Sequence, residues 1–522
     1  MNRSRAGRIL VGIIAAALLP TSLLAAERTS VTGGIIEGTR IADSNVRLFR
    51  GVPFAAAPVG ERRWQAPQPV EPWDGVRQAD TWGTRCVQGD MFGGPIVTRD
   101  ASMGEDCLYL NVWSPAESAG RDLPVLVVFH GGGFAAGSAS EPRTDGAWFA
   151  QRGIVVVAPN YRLGLFGFLA HPELTAESEG RGSGNYGMLD QVAALRWVQD
   201  NIEAFGGDPG NVTINGESAG SASVSALMIS PLSRHMVHKG IGQSGAFFTS
   251  PPDARMMKSL AEKEQAGVNF AQSVGAETLA ELRAMPAEQL LTEVMQQDGG
   301  WGYEPGVDGY FLPRHVEDMY AAGEQPAIPL MAGWTSAELG MAVALNPEKP
   351  TTASFTARLE EELGPRTSEA LEVYPAGDDQ AAIRSAVALM SDVFIAYSTW
   401  KWVETHGKTT DATVYRYRFD RTMPGDPASE FGAIHAADIE YAFNTLDSKS
   451  SDWHDEDRRV AELMATTFAN FIRTGNPNGP GVPEWPAFGD SGKVMVFDSV
   501  SESRPEEFRE RYAFLESVVN DR

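Results

Sequence analysis

A serine attacks a carbonyl only when a base takes its proton and donors hold the oxyanion that forms. The stretch Val212-Thr213-Ile214-Asn215-Gly216-Glu217-Ser218-Ala219-Gly220-Ser221-Ala222 has the form such a serine needs: a β-branched run, Gly-x-Ser-x-Gly, then small helix-compatible residues. At a sharp strand-to-helix turn the Ser218 hydroxyl stands where a base can reach it. The turn crowds its flanks, and Gly216 and Gly220, without Cβ, let strand and helix close around it. The helix that follows points free N–H groups and its positive dipole end at the reacting centre. In a chain with 54 Gly a pentapeptide match arises easily by chance, so the context decides.

That context begins upstream. Leu123-Pro124-Val125-Leu126-Val127-Val128-Phe129 is a continuous apolar run, suited to a strand buried on both faces. It leads into His130-Gly131-Gly132-Gly133, where consecutive glycines bring backbone N–H groups close to a ligand such as a tetrahedral oxyanion.

A base and a residue to orient it must follow Ser218. The eight histidines are 130, 171, 235, 238, 315, 406, 435 and 454. His435, in Phe431-Gly432-Ala433-Ile434-His435-Ala436-Ala437-Asp438, sits on a loop after a late strand, the placement a base requires. His454 lies in a charged segment that reads as surface, and His406 ends a helix before Gly407. For the acid, Glu338 follows a strand over Ile328–Gly333, and Asp308 and Asp392 remain rivals.

The elements that position these residues alternate. Strands are predicted at Gly34–Gly38, Val46–Phe54, Leu108–Trp113, Gly153–Pro159, Val212–Asn215, Lys239–Gln243, Ile328–Gly333, Ala412–Phe419 and Val494–Phe497. Helices are predicted over Tyr186–Ile202, Ala219–Met228 and Val460–Ile472. This is an α/β pattern: a large, mostly parallel sheet flanked by helices. Pro251–Ala327 and Met341–Thr410 are helical but less regular, and read as insertions capping the site.

Arg3, Arg5 and Arg8, the apolar run Ile9–Leu19 and the small residues ending at Ala26 read as a secretory signal over residues 1–26. Residues 27–522 then form a single domain, exported to the periplasm or secreted. No later segment reads as a bilayer span, so no stable membrane association is expected after cleavage. Removing the signal takes the formal charge from −25 to −28, a surface that repels nucleic acid and anionic membranes. The two cysteines, Cys86 and Cys107, suit a disulfide in an exported protein, and give no metal-site spacing.

With these residues in place, the chain resembles the type B carboxylesterase/cholinesterase family of α/β-hydrolases over nearly all of its mature length. Gly216-Glu217-Ser218-Ala219-Gly220 matches the family's serine signature, and Glu105-Asp106-Cys107-Leu108-Tyr109-Leu110-Asn111-Val112 its second. Asn160-Tyr161-Arg162-Leu163-Gly164, Gly184-Asn185-Tyr186-Gly187, Phe205-Gly206-Gly207-Asp208-Pro209 and Thr474-Gly475-Asn476-Pro477 extend the match. The resemblance implies Ser218 as nucleophile, His435 as base and Glu338 as acid, the family's Glu standing five residues after a Gly as it does after Gly333. It implies oxyanion donors from the N–H groups of Gly132, Gly133 and Ala219, a Cys86–Cys107 disulfide, and Glu217 and Ser244 in a polar network behind the three. No metal or organic cofactor is implied.

The chain departs from the family in two places. The Cys86–Cys107 loop holds no large aromatic other than Phe92, so the cation–π contact that serves choline esters is not implied. The acid stands in Ala337-Glu338-Leu339 rather than Asp-Glu-Gly.

The activity expected is hydrolysis of small carboxylic esters, broad or aromatic and xenobiotic in range, through an acyl-enzyme. Trp301, Tyr303, Trp334, Phe247 and Phe248 are candidates to line an aromatic pocket, although aromatics near a sheet are more often core. An interfacial lipase would instead show a rate jump above the substrate's solubility limit. A non-catalytic binding protein on the same fold would have lost the serine, the histidine or the glycines.

Overall fold

The chain enters through antiparallel strands β1 (Glu27–Val31), β2 (Gly34–Arg40) and β3 (Val46–Pro53), with β4 (Val76–Gln78) beside β2. The two-residue strands β5 (Arg85–Cys86) and β6 (Met103–Gly104) pair separately. There follow β7 (Tyr109–Pro115), β8 (Leu123–Phe129), β9 (Val155–Pro159), β10 (Gly207–Glu217) and β11 (Lys239–Gln243). β12 (Leu330–Thr335), β13 (Val414–Phe419), β14 (Lys493–Phe497) and β15 (Glu502–Pro505) complete the set. These come from a computed structural model that describes residues 27–91, 96–115, 120–250 and 257–521. The expected signal segment and Phe92 lie outside the described residues.

The strands order as β1-β2-β3-β7-β9-β8-β10-β11-β12-β13-β14-β15. From β9 to β14 every neighbouring pair is parallel. The antiparallel pairs sit at the two edges, as when a doubly wound sheet is built inside an antiparallel frame. Parallel strands are covered on both faces, and their sequences show it: all five residues of Val155–Pro159 and the last five of Leu123–Phe129 are buried. One core packs under the strands and the Tyr186–Asn201 and Ala219–Leu227 helices, and a second on the opposite face under the Asp455–Thr474 helix.

The predicted elements stand, with edges that move. The acid strand runs to Thr335 rather than Gly333, and the elbow strand begins at Gly207, five residues early, across a register shift before Val212. Several elements lacked a sequence signal, among them β1, β5, β6, β15, the short helices Ala147–Gln151 and Pro172–Glu177, and the C-terminal helix Arg509–Asn520. The insertions are helical as expected, from Leu260 to Ala321 and from Gly340 to Thr409. The helical run Asp379–Thr409 is long and apolar enough to cross a membrane by length and composition, against the expectation that no late segment is. Yet 56% of its most apolar window is buried within the protein, as in a core helix. The Cys86–Cys107 disulfide is formed.

Candidate active site

Strand register brings the site together. Glu217 at the end of β10 pairs with Gln243 at the end of β11, and Gln243 pairs with Gly333 on β12. The C-terminal ends of three adjacent parallel strands are therefore level, and the residues just past them meet, as in open α/β sheets generally.

Ser218 sits between β10 and its helix with φ 56° and ψ −121°, a strained conformation for a non-glycine residue. Two glycines make it possible. A Cβ at Gly216 would lie 2.3 Å from the Gly220 carbonyl, and one at Gly220 would lie 2.1 Å from the Phe129 oxygen. The Ser218 amide donates to the Gln243 carbonyl at 2.8 Å, which leaves the side chain projecting from the turn.

The glycine loop after β8 is held from behind. His130 stacks on Tyr161 with ring centroids 4.3 Å apart, and the Tyr161 hydroxyl donates to the His130 carbonyl at 2.8 Å. Gly132 has φ 100°, and its carbonyl accepts from the Ala135 and Ala136 amides, both at 3.0 Å. From the disulfide loop, Gln88 clamps Gly137 on both sides, accepting from its N–H at 2.9 Å and donating to its carbonyl at 2.8 Å. Among the described residues none accepts from the amides of Gly132, Gly133 or Ala219. The glycine loop runs next to the elbow, where a Cβ on Gly131 would lie 3.3 Å from the Ser218 Cβ.

The side chains form a line. His435 Nε2 is 2.9 Å from Ser218 Oγ, and His435 Nδ1 is 2.6 Å from Glu338 Oε2. Glu338 is 1% exposed, and its other oxygen accepts from the Ser244 hydroxyl at 2.6 Å and the Thr335 amide at 2.8 Å. The carboxylate is thereby locked with one oxygen aimed at the imidazole. The His435 amide also donates to the Glu338 carbonyl at 3.2 Å, tying the histidine loop to the acid loop.

Glu217 enters from the other side. Its Oε1 lies 3.2 Å from His435 Nε2 without hydrogen-bond geometry, an electrostatic contact only. Burial alone would lower the imidazole, but the Glu217 and then the Glu338 carboxylates outweigh it and push His435 up to about 9. Burial pushes Glu217 up to about 7, against the pull of His435 and Arg143. Burial likewise raises Asp438, three residues past His435, to about 6.

Of the residues expected at the site, Ser218, His435, Glu338, Ser244 and Glu217 are brought together by these contacts, the amides of Gly132, Gly133 and Ala219 have no acceptor among the described residues, and Cys86 and Cys107 form the disulfide. The rival acids are elsewhere. Asp308 accepts from the Tyr310 and Leu312 amides, both at 3.0 Å, and Asp392 from the Tyr374 hydroxyl at 2.9 Å while pairing with Arg511. His454 is on the surface, its side chain 61% exposed, and His406 is buried, its Nε2 2.9 Å from the Ile328 carbonyl.

The aromatic candidates separate. Trp334 is core, edge-on to Tyr512, and Phe248 packs on Tyr320. Tyr303 is edge-on to Phe270, and Phe247 stacks on Phe134 just behind the glycine loop. Trp301 is 45% exposed and covers Gly133, where a Cβ would come 2.5 Å from its ring. Phe394 was not among them, yet it is 40% exposed and stands edge-on to the His435 ring at 5.2 Å. A π-turn over Asp392–Ala396 bulges the helix there and presents it.

The chain is similar to known esterases. A fumonisin B1 esterase of Sphingopyxis macrogoltabida is 34% identical over 491 residues, covering 89% of this chain and 85% of that protein. A para-nitrobenzyl esterase of Bacillus subtilis (strain 168) is 34% identical over 480 residues, covering 89% and 94%. The solved structure of a Geobacillus stearothermophilus carboxylesterase superposes with a TM-score of 0.80 at 33% identity, covering 93% of this chain and 99% of that one. The sheet and its crossovers are those of the α/β-hydrolase fold. The sequence profile of the carboxylesterase family matches residues 25–514, and the chain belongs to that family of carboxylic ester hydrolases.

Proposed function

We propose that Ser218, His435 and Glu338 are the acyl-transfer triad of this serine carboxylesterase. The observation that carries the reading is the line from Ser218 Oγ through the imidazole to a carboxylate locked by two donors. His435 Nε2 takes the Ser218 proton as Oγ bonds to the ester carbonyl carbon. The oxyanion gathers against the Gly132, Gly133 and Ala219 amides. The carbon–oxygen bond to the alcohol breaks as His435 returns that proton to it, and water repeats the sequence on the acyl-enzyme. A fluorophosphonate probe tests this directly. The adduct should map to Ser218 and abolish hydrolysis of p-nitrophenyl acetate; an adduct on another residue would overturn the assignment.

The charge around His435 sets the pH profile. A protonated imidazole cannot accept the serine proton, so kcat/KM rises with pH as His435 deprotonates. Glu217→Gln removes the negative charge that most favours the imidazolium. The histidine then gives up its proton at lower pH, and the rising limb moves to acid by about one pH unit. A limb that stays in place, or moves to alkali, would show that Glu217 does not act on the base.

The substrates proposed are small esters with an apolar or aromatic group. Trp301 and Phe394, both exposed, stand by the glycine loop and the imidazole. Aromatic contacts of this kind contribute roughly 0.5–1.5 kcal/mol beyond area burial. Phe394→Ala should therefore raise KM for p-nitrophenyl benzoate about three- to tenfold relative to p-nitrophenyl acetate. Equal effects on both esters would remove Phe394 from substrate recognition.

Residues 1–26 are proposed as a cleaved export signal and residues 27–522 as one domain. The disulfide suits an oxidising compartment.

A further inference from the structure

Resting on the triad reading above, we infer that Gln243 is a positioning residue that holds the histidine loop in register with the nucleophile. It is fully buried at the end of β11, between the strand that carries the nucleophile and the strand that carries the acid. Its carbonyl accepts from the Ser218 amide at 2.8 Å. Its side chain bridges two elements: Oε1 accepts from Asn215 Nδ2 on the elbow strand at 3.0 Å, and Nε2 donates to Asp438 Oδ2 at 3.1 Å. Asp438 lies three residues past His435 on the same loop.

The dependence of Asp438 on this donor is high. The same Oδ2 accepts from the Tyr417 hydroxyl at 2.8 Å, whereas Oδ1, also buried, has no hydrogen-bond partner among the described residues. Without Gln243 only Tyr417 fixes the carboxylate. The next residue extends the device. Ser244, at φ 52°, turns its hydroxyl onto Glu338 while its amide donates to the Gly333 carbonyl at 2.8 Å. Two consecutive residues at one strand end thus reach the nucleophile's backbone, the base's loop and the acid's carboxylate. The His435–Ser218 contact spans loops far apart in sequence, and misplacement by about 1 Å costs on the order of 10²-fold in rate.

The test uses full-length protein, p-nitrophenyl esters and fluorophosphonate labelling, with thermal melting as a control. Gln243→Glu exchanges the donor for a second carboxylate facing Asp438. Gln243→Met removes both side-chain hydrogen bonds at similar volume and keeps the pair's charge. Each should lower kcat and the labelling rate roughly 10- to 100-fold, with KM changed less than about threefold because Gln243 is too deeply buried to touch substrate.

Gln243→Glu combined with Asp438→Asn reverses the polarity of the bond. The amide introduced at 438 then donates to the carboxylate introduced at 243, and kcat should return to within about threefold of wild type. A residue needed only for folding would move the melting temperature without this recovery of kcat. The inference is overturned if both single variants keep wild-type kcat, or if the double variant is no faster than Gln243→Glu. Wild-type protein that neither turns over these esters nor takes the label would overturn the triad reading itself, a result seen before any variant is made.

Discussion

Ser218→Ala should lower kcat for p-nitrophenyl acetate by at least about 10⁴-fold, with the protein fully folded. The fold does not depend on the hydroxyl. The turn is shaped by Gly216 and Gly220, whose absent Cβ atoms make room for it, and by the Ser218 amide bonded to the Gln243 carbonyl. Alanine keeps the same Cβ at the same positive φ, so the strain at this position is unchanged. What is lost is the atom that bonds to the acyl carbon. The remaining site still offers the amides of Gly132, Gly133 and Ala219 and an imidazole able to activate water, so activity should fall to a residue rather than to zero.

The neighbouring serines supply the control. Ser221 Oγ donates to the Gly245 carbonyl at 2.5 Å and Ser223 Oγ to the Ala219 carbonyl at 3.0 Å, both fully buried. Their replacement by alanine should act on stability before turnover. Hydrolysis by Ser218→Ala within tenfold of wild type would end the assignment of Ser218 as nucleophile.

How far the site could be read from the sequence follows from how local each requirement is. The elbow and the glycine loop were legible because the glycines they require cluster within a few residues of the chain, and at Gly216 and Gly132 the atoms that a Cβ would meet, at 2.3 and 2.1 Å, are only four residues on. His435 could be placed by its loop. Glu338 could not be separated from Asp308 and Asp392 by pattern alone, because what distinguishes it is a bond to His435, 97 residues away. Gln243 carried no signal at all. Its importance lies in the register of β10, β11 and β12, which no run of residues encodes.

The aromatic candidates divided for a related reason: Trp301 stands over the glycine loop, whereas Trp334 and Phe248 are core, the commoner fate of aromatics near a sheet. Trp334 ends a strand and Phe394 sits in a helix, and nothing in their neighbours says which one faces the cleft. Trp334 is taken into the core by Tyr512 of the C-terminal helix and by Arg416 stacked 4.3 Å over its ring. Arg416 is in turn paired with Glu506, beyond a last strand that the sequence did not announce. Phe394 is put over the imidazole by a π-turn, one residue of extra winding that a 3.6-residue period does not reveal.

Glu338→Gln is the second large effect expected, and tautomerism is its cause. In the native site Glu338 Oε1 accepts from Ser244 and Thr335, which leaves Oε2 to accept from His435 Nδ1–H. Once His435 has given up its extra proton, that arrangement leaves Nε2 unprotonated and facing Ser218 Oγ at 2.9 Å, ready to take its proton. A glutamine must keep its oxygen toward the two donors, so its NH₂ turns to Nδ1. A donor there selects the imidazole with its proton on Nε2, where it faces the serine and cannot accept. Geometry is retained while the base is disabled, and kcat should fall roughly 10³- to 10⁴-fold.

The rivals provide the contrast. Asp308→Asn and Asp392→Asn alter buried carboxylates that serve the loop amides of Tyr310 and Leu312, or Tyr374 and Arg511. They should lower the melting temperature but leave kcat per active site, counted by fluorophosphonate titration, within about tenfold of wild type. If either asparagine variant loses turnover as steeply as Glu338→Gln is expected to, and Glu338→Gln does not, then the carboxylate bonded to His435 is not what holds its working tautomer.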